Sequence, residues 1–200
     1  GSFGDIAASS FGGMVYYTSP DRNSLLEQLQ SDSMKAICDT DWKDLTIERL
    51  PEIPNFTLLV GWTGQVAITD SLIQATEKKR KIETDSAFYK GFLSKSHTIV
   101  QGLQSGWNEQ DIPALQEGIR ANRALLNEFA QEMQLEIETP ALQTLCDIAE
   151  QNGACAKTSG AGGGDCGICF TQNETQRQQI ETQWAHAQIQ VLPLTIVEAW

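Results

Sequence analysis

The sequence predicts an α+β fold from three observations. Short apolar runs with strand character and longer amphipathic stretches follow one another in an order that suits an α+β domain. Two of the amphipathic stretches, beginning at Asp85 and Asp111, repeat apolar residues at helical spacing and therefore need a core to pack against. A glycine-rich run, KTSGAGGGDCG from Lys157 to Gly167, sits between apolar segments rather than in a charged or serine-rich linker, which marks a tight connection inside a packed domain. At 200 residues, with 40% hydrophobic and 20% charged side chains, the chain is long enough for one or two cores.

The chain opens GSFGDIAASSFGG without a methionine and is expected to come from a longer protein. Ile6 to Phe11 has helical character, Gly12-Gly13 follows, and Met14 to Tyr17 reads as a strand. Asp5 stands at the start of that helix, where the dipole keeps a carboxylate ionised. There it can orient Mg²⁺, accept a hydroxyl proton, or serve as a plain N-cap. Leu45–Leu50 and Phe56–Val60 are strands separated by a turn at Pro51 and Pro54. The second leaves its strand through Gly61-Trp62-Thr63-Gly64 toward a helix near Asp70 to Lys81, and strand ends of this kind are where such proteins place ligand contacts.

Phe88, Phe92, Ile99 and Leu103 share one helical face, and Leu115, Ile119, Leu126, Phe129 and Met133 share the next. Thr139-Pro140 is a helix start, with a hydroxyl cap and proline in the first turn, and Leu142, Leu145, Cys146 and Ala149 form the buried side as far as Gly153. A short strand then delivers Lys157 to the glycine run. Cys166–Phe170 is the next strand, Glu174–Ala187 a helix, and Ile189–Val197 a last strand.

Four glycines between Gly160 and Gly164 weaken any helix or strand, so their use lies in the backbone. Gly162, Gly163 and Gly164 admit positive φ and are expected to leave amides free to converge on phosphate oxygens. The motif GxxxxGK[ST] is absent. Gly162, Gly164 and Gly167 match GxGxxG literally, but they lead into a strand, whereas a dinucleotide fingerprint opens a helix. A structural surface loop is the other reading of the same residues.

The string AKTSGAGGGDCGI, Ala156 to Ile168, resembles without a gap the C-terminal glycine-rich motif of the GHMP kinases, in the wording of the bacterial phosphomevalonate kinases. GWTG at 61–64 is similar to a motif of the same group, although Val66 and Ile68 depart from its usual Pro and Ser. Ser2-Phe-Gly4-Asp5 resembles the family's Ser-Gly-x-Asp helix opening with the order of glycine changed. The resemblance implies a ferredoxin-like C-terminal domain over 51–200 and a remnant of the N-terminal kinase domain, a helix and following strands, over 1–50. The family's upstream phosphate loop does not appear in the chain, which alone is expected to be inactive. The resemblance further implies transfer of the γ-phosphoryl group of ATP, with Mg²⁺, to 5-phosphomevalonate. Asp5 would be catalytic, with Ser2, Trp62, Thr63, Gly64 and Lys157 at the substrate. Ser159, Gly160, Ala161, Gly162, Gly163, Gly164 and Asp165 would lie at the phosphates of ATP. Mevalonate kinase, or a non-catalytic domain that binds an anion or a partner, are the alternatives.

Charge and cysteine content bound these readings. With 14 Lys+Arg against 26 Asp+Glu, the net charge of −12 gives no basic field for nucleic acid or an anionic membrane, so a phosphate must be held locally. No apolar run approaches the roughly 20 residues that span a bilayer. Five irregularly spaced cysteines point to reduced thiols and a cytoplasmic protein. The oligomeric state is left open between monomer and homodimer. Cys166 and Cys169 form a CxxC, but on a strand they point to opposite faces. His97 falls off the apolar face of its helix and His186 has no ligand-like spacing.

Overall fold

The computed structural model describes residues 3–64, 86–160 and 162–197. The expected helix near Asp70 to Lys81, with Val66 and Ile68, lies outside these residues, as do Ser2 and Ala161. The chain divides into two compact units, Gly1–Glu52 with Ile196–Trp200, and Ile53–Thr195.

In the first unit, α1 (Gly4–Phe11) is followed by β1 (Met14–Thr18), α2 (Arg22–Ser31), α3 (Met34–Cys38) and β2 (Thr46–Leu50). β1 and β2 pair antiparallel, from Met14 opposite Leu50 to Thr18 opposite Thr46. The sequence reading has no element between Tyr17 and Leu45. The two helices there are short, and α2 buries no residue, so hydrophobic periodicity cannot reveal them. Their signal is in the caps instead: Asp21 accepts from the Asn23 and Ser24 amides, and Ser33 accepts from the Ala36 amide.

The second unit is built on a four-stranded antiparallel sheet of β3 (Thr57–Trp62), β4 (Cys155–Thr158), β5 (Cys166–Thr171) and β6 (Gln190–Leu192), in the order β4-β5-β3-β6. The helices are α4 (Ala87–Glu109), α5 (Ile112–Met133), α6 (Pro140–Gln151) and α7 (Glu174–His186). With α4 to α6 between β3 and β4, and α7 between β5 and β6, the sheet has the split β-α-β-β-α-β connection of a ferredoxin-like fold. None of the described helices is long and apolar enough to cross a membrane.

Alternation along β5 gives each sheet face its own core. Cys169, with Leu59 and Ala156 on the neighbouring strands, packs against Leu145, Cys146 and Ala149 of α6 and Ile180 and Trp184 of α7. Trp184 is fully buried and its indole N–H donates to the Leu145 carbonyl at 3.0 Å, so its one polar atom is satisfied. On the opposite face, Phe170 stacks on Phe56 at 4.9 Å and meets Trp107 of α4 edge-on at 5.7 Å. Thr139 caps α6, and Leu142, Leu145, Cys146 and Ala149 are its buried residues, the set read from the sequence.

Two expectations need correction. Only Gln190–Leu192 of the Ile189–Val197 stretch pairs as a strand, because Pro193 has no N–H to continue the ladder. On α5 the buried leucine is Leu125, while Leu126 is half-buried. α5 packs on both α4 and β4, and Leu125 lies toward Phe88 and Phe92 of α4, so the apolar stripe is wider than a single-face pattern.

Gly61 and Gly167 face each other across β3 and β5 and leave the space that the Leu145 side chain fills. A Cβ at Gly167 would come within 2.6 Å of a Leu145 methyl, and one at Gly61 within 2.8 Å. Gly167→Ala is therefore expected to lower stability by about 1–3 kcal/mol in urea unfolding. Adding Leu145→Val should recover part of that loss, whereas strictly additive losses would mean the two positions do not share this space.

Candidate functional site

β3 ends, β5 begins and β4 ends at one edge of the sheet, so the two segments singled out in the sequence emerge side by side. Trp62 is opposite Cys166 and Gly61 opposite Gly167. Thr63 joins the segments directly: its N–H and its Oγ1 both donate to the Asp165 carbonyl, at 2.9 and 3.0 Å, across 102 residues of sequence. Gly64 follows in the left-handed region at φ 78, exposed and with open space around it.

The glycine loop is closed at its base by the Ser159 N–H, which donates to the Cys166 carbonyl at 2.9 Å. Between these residues φ is 63 at Gly160, 74 at Gly162, 82 at Gly163, 120 at Gly164 and 65 at Asp165. Such a run curls the backbone into a concave turn of the kind that amide nests use for anions. The expectation that Gly163 leaves its amide free fails, because that N–H donates to the Ile137 carbonyl at 2.8 Å. The glycines have no side chains with which to fix themselves, and this backbone bond holds the turn in their place. The N–H groups of Gly160 and Gly164 have no acceptor among the described residues. Gly162 is buried against the same segment, where a Cβ would lie 2.4 Å from the Ile137 oxygen.

Lys157 enters the loop from β4 with its Nζ donating to the Thr158 carbonyl at 2.7 Å. Burial pushes its amine below the ordinary lysine range, and no carboxylate among the described residues pairs with it. A desolvated cation of this kind gains from an anionic ligand. Asp165 leaves the loop with an exposed side chain, whose Oδ1 accepts from the Cys166 thiol at 3.5 Å. Burial, with the nearby Asp165 charge, pushes that thiol up to about 11, and burial raises Cys146 and Cys155 to about 12, so none is a thiolate near neutral pH.

Asp5 belongs to the first unit. It lies exposed in the first turn of α1, whose N-cap position is held by Phe3 without a side-chain bond, so the plain-cap reading does not apply. His97 and His186 are exposed.

One group that bears on the loop is missing from the sequence reading. Arg123 of α5 donates through Nε and Nη2 to both oxygens of Glu138, at 2.8 and 2.6 Å, and through Nη2 to Asp147 at 3.0 Å. Asn127 adds a bond to Glu138 at 3.2 Å. The segment so held contains Ile137, the acceptor of the Gly163 amide. Although burial raises the Glu138 pKa, the Arg123 and Asn127 bonds outweigh it and hold the carboxyl below its ordinary value. Nothing in local spacing connects Arg123 to Glu138, since the pair forms only when α5 packs beside the start of α6.

Residues 102–190 match the C-terminal domain of the GHMP kinases. Over 197 residues the chain is 36% identical to a phosphomevalonate kinase of a Streptomyces species, covering 98% of this chain and 52% of that one. A crystal structure of the Lin0012 protein from Listeria innocua superposes with a TM-score of 0.93 at 32% identity, covering 99% of this chain and 55% of that chain. The Streptococcus pneumoniae phosphomevalonate kinase, in complex with phosphomevalonate and AMPPNP, superposes with a TM-score of 0.82 at 27% identity, covering 98% of this chain and 56% of that chain. The chain spans about half the length of these relatives. Through its C-terminal domain, residues 102–190, the chain is thus similar to the GHMP kinases. Within that family it is similar to the phosphomevalonate kinases.

Proposed function

We propose that this chain supplies the C-terminal part of a phosphomevalonate kinase. The observation that carries the proposal is the meeting of the GWTG turn and the glycine loop at one sheet edge through Thr63 and Asp165. That meeting sets a run of backbone amides at positive φ in the same loop that β4 enters through the partly buried Lys157. The reaction is attack of a phosphate oxygen of 5-phosphomevalonate on the γ-phosphorus of ATP, with cleavage of the bond to the β-bridging oxygen. 5-Diphosphomevalonate and ADP leave. A phosphate monoester with a second pKa of about 6 is already largely dianionic at neutral pH. A proton acceptor therefore adds little, and the work is positioning and charge neutralisation.

In this reading Ser159, Gly160, Ala161, Gly162, Gly164 and Asp165 form the phosphate cradle, with Gly163 holding its shape. Trp62, Gly64 and Lys157 are the residues proposed to meet the substrate. Among the described residues no group of three or more His, Cys, Asp or Glu could hold a metal ion. Mg²⁺ is bound through substrate phosphates and one or two carboxylates rather than a protein cage. Asp5, an exposed carboxylate, is the residue proposed for this role. Bound there, the ion would neutralise charge on the β- and γ-oxygens. A cytoplasmic location, as monomer or homodimer, belongs to the same proposal.

The test is incubation with Mg·ATP and 5-phosphomevalonate, followed by ³¹P NMR. A full-length protein containing this chain should form the diphosphate, and the 200-residue chain alone should bind AMPPNP without turnover. Phosphorylation of mevalonate in preference to phosphomevalonate would move the assignment to mevalonate kinase, and binding without turnover at full length would leave a non-catalytic module. In the full-length protein Asp5→Asn should lower kcat by about 100-fold or more with little change in KM, because the group acts on charge that develops in the transition state. An unchanged kcat would remove Asp5 from the site.

A further inference from the structure

We propose that Thr63 is a positioning residue, which sets the exit of the glycine loop through the Asp165 carbonyl rather than by touching substrate. The proposal rests on reading the loop as the seat of phosphate oxygens. Both donors of Thr63 point to a single acceptor, the Asp165 oxygen, at 2.9 and 3.0 Å. The hydroxyl proton is therefore already engaged and is not available to a ligand. Among the described residues of the loop Asp165 is the non-glycine residue held at positive φ, at 65, where a side chain costs more than glycine.

The flanking anchors lie elsewhere: Ser159 closes the base on Cys166, and Gly163 is tied to Ile137. Between Gly163 and the start of β5, Thr63 is the tether supplied by a neighbouring strand. Its β-branched side chain restricts χ1, so the hydroxyl is held in place by a rigid element. A glycine-rich loop has many conformations to lose when it binds an anion. A tether that removes some of them beforehand raises affinity without a new contact to the ligand.

The experiment compares the 200-residue chain with its Thr63→Val and Thr63→Ser variants in two measurements, amide hydrogen exchange and titration with Mg·AMPPNP. In Thr63→Val the hydroxyl bond is lost and the backbone bond stays, so exchange over residues 159–166 should rise by about fivefold, the scale of one net hydrogen bond. Exchange over residues 57–60 and 168–171 should not change, which separates a loosened loop from a weakened sheet. Thr63→Ser should restore wild-type exchange, and AMPPNP affinity should follow the same order. Unchanged loop exchange in Thr63→Val overturns the proposal, as does a Thr63→Ser variant as loose as the valine. Failure of the wild-type chain to bind AMPPNP would count against the kinase reading, while the exchange comparison would still decide the role of Thr63.

Discussion

Gly162→Ala is expected to remove nucleotide binding while the second unit still folds. The residue sits at φ 74 and an added Cβ would lie 2.4 Å from the Ile137 oxygen, a backbone atom that cannot rotate away. Strain of this backbone kind costs on the order of 1–3 kcal/mol, and crowding in a packed site about as much again. The sum approaches but does not exceed the stability of a typical domain, about 5–15 kcal/mol. Relief comes most readily by moving the loop off Ile137, which breaks the Gly163 bond and disperses the remaining amides. Losing two charge-assisted hydrogen bonds to phosphate would weaken AMPPNP binding on the order of 100-fold.

Gly160→Ala is the matching control, since φ is 63 but no atom lies within 4 Å of the added carbon. It should cost only about 1–2 kcal/mol. Calorimetric titration and urea unfolding of both variants check the difference. Equal losses of affinity would show that positive φ, and not the Ile137 contact, governs the loop, and retained affinity in Gly162→Ala would place the anion elsewhere.

Arg123→Met should lower stability by about 3–5 kcal/mol, because it leaves the Glu138 carboxylate buried without its cationic partner. The side chains are 17% and 7% exposed, so water cannot replace the guanidinium. The double variant Arg123→Met with Glu138→Met should be clearly more stable than the single one. A pH series gives a second readout. In the wild type the folded pKa of Glu138 lies below its ordinary value of 4.5. Its contribution is thus complete above that value and lost as pH falls through the folded pKa. In Arg123→Met burial is opposed only by the Asn127 bond and raises the folded pKa relative to the wild type, so protonation now favours the folded state. The stability gap between the two proteins should therefore narrow as pH falls from 7 to 4. A constant gap would mean that Glu138 does not titrate differently in the two proteins.

The parts of the fold that were legible in the sequence are those whose signal is local. Thr139-Pro140 with its apolar stripe gave α6 and its buried residues, and the strand character of 57–60 and 166–170 is confirmed in β3 and β5. Leu125 and the truncated last strand were not legible, since one depends on which neighbours α5 meets and the other on where a ladder stops. The site divides in the same way. The glycines announce positive φ, but whether an amide is free depends on a carbonyl from another segment, and for Gly163 Ile137 supplies it. Thr63 stood out as lying between two glycines, while its acceptor could be found only after β3 and β5 are paired.

The distances in sequence between the loop and its anchors also bear on how the protein folds. Thr63 and Asp165 are 102 positions apart, so closing that bond requires the β3–β5 ladder, a contact of high order that ordinarily forms late and slowly. The helical hairpin of α4 and α5 needs only neighbouring residues and can form first. A peptide cut to the glycine motif would carry every residue of the cradle and none of its geometry. Anion affinity is then among the last properties this chain acquires as it folds, and recovery of AMPPNP binding after dilution from urea should lag behind recovery of helical circular dichroism.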